Sequence, residues 1–122
     1  MEAPATKPGE RELRAPLVYV LGRLCGYRPY VGVPLEKVRD EVLRLLGITP
    51  ENSPWPLKST SSKTRDGLYR KVHFTWYHQT RQYRPQMNAL CARPISGRRG
   101  EWALTLLGVE EARRLRERYE GT

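Results

Sequence analysis

The side chains of this 122-residue chain that come nearest to a metal or catalytic set are His73, His78, Cys25 and Cys91. His73 and His78 are five residues apart, about 140° around a helix, so one ion cannot take both. A zinc site built from these histidines and the two distant cysteines would need a coincidental fold rather than a ligand-spaced motif. No phosphate-cradling glycine loop is present. Nor is there a pair of acids with a lysine, as a nuclease would need, because residues 58–100 contain a single acid, Asp66. The expectation is a binding protein rather than an enzyme, with no metal and no cofactor.

The chemistry that the chain does offer is cationic. It carries 22 Lys and Arg against 13 Asp and Glu, a formal charge of +9. Residues 58–100 hold ten of the basic residues (Lys58, Lys63, Arg65, Arg70, Lys71, Arg81, Arg84, Arg93, Arg98 and Arg99), and the rest of the chain is balanced. A neutral scaffold with one strongly positive segment reads as a polyanion-binding face, nucleic acid first. The competing reading is a charged surface that only keeps the protein soluble.

Several elements must position these cations. Residues 1–9 read as a polar, disordered tail. A first helix is expected over residues 10–25. Leu13, Leu17, Val20, Leu21 and Leu24 form its apolar face, Pro16 marks its start and Gly26 its stop. The stretch GYRPYVGV is a linker with room for a short strand. A second helix runs through PLEKVRDEVLRLLG, with Leu35, Val38, Val42, Leu45 and Leu46 inward and a solvated outer face of mixed charge. A proline- and serine-rich loop follows, in which Trp55 is expected to plug onto the core. Ser61, Ser62 or Thr64 is expected to cap the next helix.

That third helix, about residues 65–84, carries the main argument. At 100° per residue, Leu68, Val72, Trp76, Gln79 and Tyr83 share one side. The other side presents Arg70, His73, Tyr77, Arg81 and Arg84, with Phe74 at its flank and Lys63 and Arg65 just ahead of it. Pro85 ends the helix. A core-facing stripe opposite a basic, aromatic one suits a helix that enters a DNA major groove.

Residues 88–106 then read as two strands around a turn, ALCAR and EWALT flanking PISGRRG. Alternation places Trp102 and Leu104 inward and Glu101, Ala103 and Thr105 outward. Gly97 and Gly100 permit the tight turn, Arg98 and Arg99 occupy its tip, and Trp102 anchors it. A last helix, LGVEEARRLRERY, has an apolar side of Val109, Ala112, Leu115, Arg116 and Tyr119. It either packs on the first helix or makes a homodimer contact.

The order of these elements is that of a winged helix-turn-helix: an α+β fold, mainly α, with a two- or three-stranded wing sheet and an extra C-terminal helix. Three segments, LGITPE, LYRKVHFTWYHQT and GRRGEWALTLLGVEEA, strengthen the reading. With them the chain resembles the N-terminal winged-helix domain of Mrr-type restriction-system proteins over about residues 35–115. The matching positions are Gly47, Ile48 and Thr49, then Arg70 and Val72, then Gly100, Trp102, Leu104, Thr105 and Gly108. The resemblance implies recognition of double-stranded DNA, often in defence against modified or foreign DNA. The cleavage chemistry of that family lies in a separate nuclease domain, for which this chain has no room.

The leading expectation is a small DNA-binding winged-helix protein, either a transcriptional regulator or the DNA-reading component of a restriction system. The alternative from another class is a protein-interaction module docking on an acidic partner such as a polymerase or nuclease subunit. RNA binding through Tyr77 and Phe74 is a weaker reading. Two cysteines without a disulfide pattern, no leader-like apolar segment and no membrane-length apolar run predict a soluble cytoplasmic protein.

Overall fold

The structure is a computed structural model and describes residues 4–59, 67–80 and 88–121. In chain order its elements are α1 (Glu10–Leu24), β1 (Val33–Pro34), α2 (Leu35–Leu45), α3 (Leu68–His78), β2 (Cys91–Ala92), β3 (Glu101–Leu104) and α4 (Leu106–Glu120). The protein is therefore α+β and mainly α, with a small three-stranded antiparallel sheet in the order β1-β3-β2. Val33 pairs with Trp102 on one side of β3, and Cys91 with Leu104 on the other. None of the described helices is long and apolar enough to cross a membrane.

α1 is the hub, touching α2, α3, α4 and β3. Its buried Leu13, Leu17, Val20 and Leu21 meet Val38, Val42 and Leu43 of α2, Leu68 and Val72 of α3, and Ala112 and Leu115 of α4 in one apolar cluster. Each such side chain contributes about 1.5–3 kcal/mol by leaving water. Leu43 lies deeper than the flanking Leu35, Leu45 and Leu46, which the apolar pattern had placed inward but which stay half-buried. Trp55 packs against the same cluster, as expected.

Gly26 and Gly47 end α1 and α2 as predicted, at φ 67° and 80°. Tyr27 N–H returns to the Gly22 carbonyl and Ile48 N–H to the Leu43 carbonyl, so both helix ends close in the Schellman pattern. Pro16 does not start α1. The helix begins at Glu10, where the Glu12 carboxylate accepts from Gly9 N–H, and runs through Pro16. The donor that proline lacks would have faced the carbonyl of Glu12, an exposed residue, where water can serve instead. Pro8, within the tail expected over residues 1–9, is buried.

α3 starts later and ends earlier than its periodicity suggests. The N–H groups of Leu68 and Tyr69 are taken by the carbonyls of Pro56 and Leu57, which cap the helix in place of a serine or threonine side chain. A β-carbon on Gly67, the residue before the helix, would collide with the backbone of that same loop. At the other end the Gln79 carbonyl accepts from both Leu90 and Cys91 N–H, turning the chain toward β2. Ser61, Ser62, Thr64, Tyr83 and Pro85 lie outside the described residues.

β3 is covered on both sides. Ala103 is as buried as Trp102 and Leu104, so the expected outward alternation fails at that residue. β3 contacts both α1 and α4, and this packing rather than alternation sets which of its side chains leave water. α4 packs on α1: Tyr119 lies 4.9 Å from Tyr19 ring to ring, and the Tyr19 hydroxyl donates to Glu120. Gly22 lies so close to Ala112 that it has no room for a β-carbon. Val109, Ala112 and Leu115 are thereby spent within the chain. Arg116, which the apolar side was expected to include, is exposed and bonds Glu120.

Candidate nucleic-acid interface

The outward side of α3 begins in a shallow cleft of about 680 Å³ lined by Arg39, Lys58, Ser59, Tyr69, Arg70, His73 and Phe74. Three of the predicted residues, Arg70, His73 and Phe74, meet here. The Arg70 guanidinium lies 5.5 Å from the Phe74 ring centre, and His73 meets Phe74 edge-on at 6.0 Å. Burial pushes the His73 imidazolium down from its ordinary value, and the charges of Arg70 and Arg93 push it further the same way. The imidazole is thereby favoured in its neutral form, able both to donate and to accept.

Arg39, Lys58 and Arg93 were not among the predicted contacts. Lys58 and Arg93 belong to the basic segment that charge counting had isolated, so that signal was available. Arg39 was read as part of the solvated outer face of α2, and no sequence signal contradicts that. The structure instead lays its guanidinium 4.0 Å from the Tyr69 ring, with its Nε buried and without a hydrogen-bond partner. Burial raises the Tyr69 hydroxyl above its usual pKa, and the neighbouring Asp40 carboxylate adds to the rise. Asp40 is thus the carboxylate that approaches this cleft.

Tyr77, predicted on the same stripe, is half-buried and lines a different depression with Trp76 and Thr80. His78 turns away to Glu10 of α1, 2.8 Å off. Lys63, Arg65, Arg81 and Arg84 lie outside the described residues.

The turn between β2 and β3 matches its expected form. Gly97 and Gly100 adopt φ 71° and 80°, and Arg98 and Arg99 between them are exposed. The turn is tied down at its base, where Leu35 N–H donates to the Gly100 carbonyl at 2.9 Å. Behind it Trp102 stacks on Trp76, and His73 meets the Trp102 ring edge at 5.7 Å. The hairpin and the basic end of α3 therefore share one aromatic joint. Among the described residues, the carboxylate ion pairs serve Arg23, Arg44, His78, Arg114 and Arg116, not Lys58, Arg70, Arg93, Arg98 or Arg99. Cations kept from carboxylates have their charge available to an outside polyanion. Compared with known protein families, with curated proteins and with solved structures, the chain matches none.

Proposed function

We infer that this protein is a small winged-helix DNA binder without catalytic activity of its own. α3 is its recognition helix and the Arg98–Arg99 hairpin its wing. The observation that carries this reading is the aromatic joint of His73, Trp76 and Trp102, which fixes a basic helix face and an arginine-tipped, glycine-hinged turn on one support. The element order and the β1-β3-β2 sheet are compatible with a winged helix. Arg39, Lys58 and Ser59 would grip backbone phosphate beside the helix, while Arg70, His73 and Phe74 would face the groove. The resemblance to the Mrr-type N-terminal domain favours a DNA-reading role in a restriction system, and a transcriptional regulator has the same interface.

Binding of a random-sequence duplex, followed by fluorescence anisotropy across a salt series, tests the reading. The logarithm of affinity should fall linearly with that of salt, with a slope of about −0.9 for each phosphate neutralised. Absence of duplex binding at low ionic strength would sink it. Competition by single-stranded DNA and by RNA separates duplex reading from the other nucleic-acid modes.

A further inference from the structure

The C-terminal half of α3 borders a second depression, of about 440 Å³, with a different lining. Tyr30, Trp76 and Tyr77 supply rings, Leu106 and Leu107 supply aliphatic surface, and Arg93 supplies a cation. None of the described lining residues is acidic.

The large hydrophobic side chains that the described residues leave exposed are Tyr30, Val31, Ile95, Leu106 and Leu107; three of them line this depression and the other two are backbone neighbours of Tyr30. Tyr30 and the two leucines line the depression. Ile95 donates its backbone N–H to the Tyr30 carbonyl at 2.9 Å, and Val31 follows Tyr30 in the chain. Ile95 is 90% exposed and Leu106 60%. Scattered singly, such residues are ordinary, but collected on one rim they mark a contact surface.

Two further features lie beside it. Tyr30 holds φ 63°, a left-handed conformation that non-glycine residues avoid, kept in place by its bonds to Leu104 and Ile95. The Trp76 indole N–H is buried without a hydrogen-bond partner among the described residues.

A depression of about 440 Å³ takes a group the size of a side chain or small ligand, not a nucleic-acid duplex. A second copy of this chain would bring another +9 of like charge. Arg93, with no acid beside it in the lining, calls for a carboxylate. We propose that this depression docks a short acidic peptide segment of another protein. One aromatic or large aliphatic side chain seats between Tyr30, Trp76 and Leu106, and a flanking carboxylate pairs with Arg93. The site has its own lining but shares Trp76 and Arg93 with the surroundings of the basic cleft, and its occupant does not depend on the DNA reading.

The test is to pan a random dodecapeptide phage library on the full chain at about 0.3 M salt, where exposed charge alone is screened. Enriched peptides should carry an aromatic or large aliphatic residue beside Asp or Glu. A synthetic copy should bind the wild-type chain and lose about tenfold or more in affinity with Leu106→Asp, the scale of a central anchor contact. Arg93→Gln should weaken it severalfold. Leu106 is exposed, so the variant keeps its fold, checked by circular dichroism and by an unchanged melting temperature. Leu106→Asn should weaken the peptide in the same direction without adding charge. No enrichment, a consensus without the apolar–acidic pair, or binding indifferent to Leu106→Asp overturns the proposal. So does a dimer, seen by sedimentation, that Leu106→Asp abolishes, because the occupant would then be a second copy.

Discussion

Trp76 and Trp102 stack with ring centres 5.3 Å apart and planes only 10° from parallel, joining the third helix to the central strand of the sheet. Both rings are almost wholly buried. Together with the Gln79 carbonyl, which accepts from Leu90 and Cys91 N–H, this aromatic pair links the hairpin to the helix that it serves.

Trp102→Ala should therefore destabilise the fold by about 3–5 kcal/mol, the usual cost of emptying a large aromatic site in a core. Trp102→Phe keeps a ring against Trp76 and should cost clearly less. Urea unfolding followed by far-ultraviolet circular dichroism measures both. A loss below about 0.5 kcal/mol for the alanine variant, the level of an ordinary surface change, would show that the stack is not the joint.

The start of α4 offers a second measurement. Thr105 Oγ accepts from Gly108 N–H at 3.0 Å and donates to the Ala89 carbonyl at 2.6 Å, so one hydroxyl caps the helix and pins the strand-side chain. Thr105→Ala should cost about 1–2 kcal/mol. Gly108 packs against the Leu90 carbonyl with no space for a β-carbon. Gly108→Ala would gain up to about 1 kcal/mol in an unhindered helix, but here it should destabilise, by about 1–3 kcal/mol of forced displacement. Thermal melts of the two variants check the opposite signs of expectation from propensity and from packing.

These positions also show what was legible in the sequence. The spaced set Gly100, Trp102, Leu104, Thr105 and Gly108 reads as a motif because each residue meets a separate demand: positive φ, stacking, burial, capping and close approach. Helix stops at Gly26 and Gly47 were legible for the same reason, since a left-handed end admits few residues. Pro16 and the limits of α3 were not. The limits of α3 depend on partners distant in sequence, the carbonyls of Pro56 and Leu57 and the amides of Leu90 and Cys91, and Pro16 is tolerated because the Glu12 carbonyl it faces lies at an exposed residue. In the candidate interface, charge counting found the segment, and helical periodicity found Arg70, His73 and Phe74. Arg39 escaped because its placement over Tyr69 is set by how α2 packs beside α3, which no local pattern records.

Arg98 and Arg99 make no ion pair among the described residues and sit in a turn with open space around both glycines. Replacing both with alanine should leave stability within about 0.5 kcal/mol. Affinity should fall by a similar factor for all duplex sequences, and the salt slope should shrink by about 1.8, the share of two phosphates. Anisotropy at several salt concentrations on two unrelated duplexes measures this. An unchanged slope would remove the wing from the interface.

His73 gives a pH test of the same face. Burial and the charges of Arg70 and Arg93 lower its folded pKa below the ordinary value of about 6.5. Above that value the imidazole is neutral in both folded and unfolded chains, and stability does not depend on it. As pH falls below about 6.5 the unfolded chain takes up the proton first, so stability is lost down to the folded pKa and then levels off. His73→Gln should flatten that part of the stability profile, while His78→Gln serves as the control for the other histidine. A DNA phosphate placed near His73 acts in the opposite sense, favouring the imidazolium. Duplex binding should then take up a proton, and affinity should rise between pH 7.5 and 5.5 in the wild-type chain but not in His73→Gln. Anisotropy at constant ionic strength reads this directly. A wild-type affinity indifferent to pH across that window would put the DNA phosphates out of reach of His73.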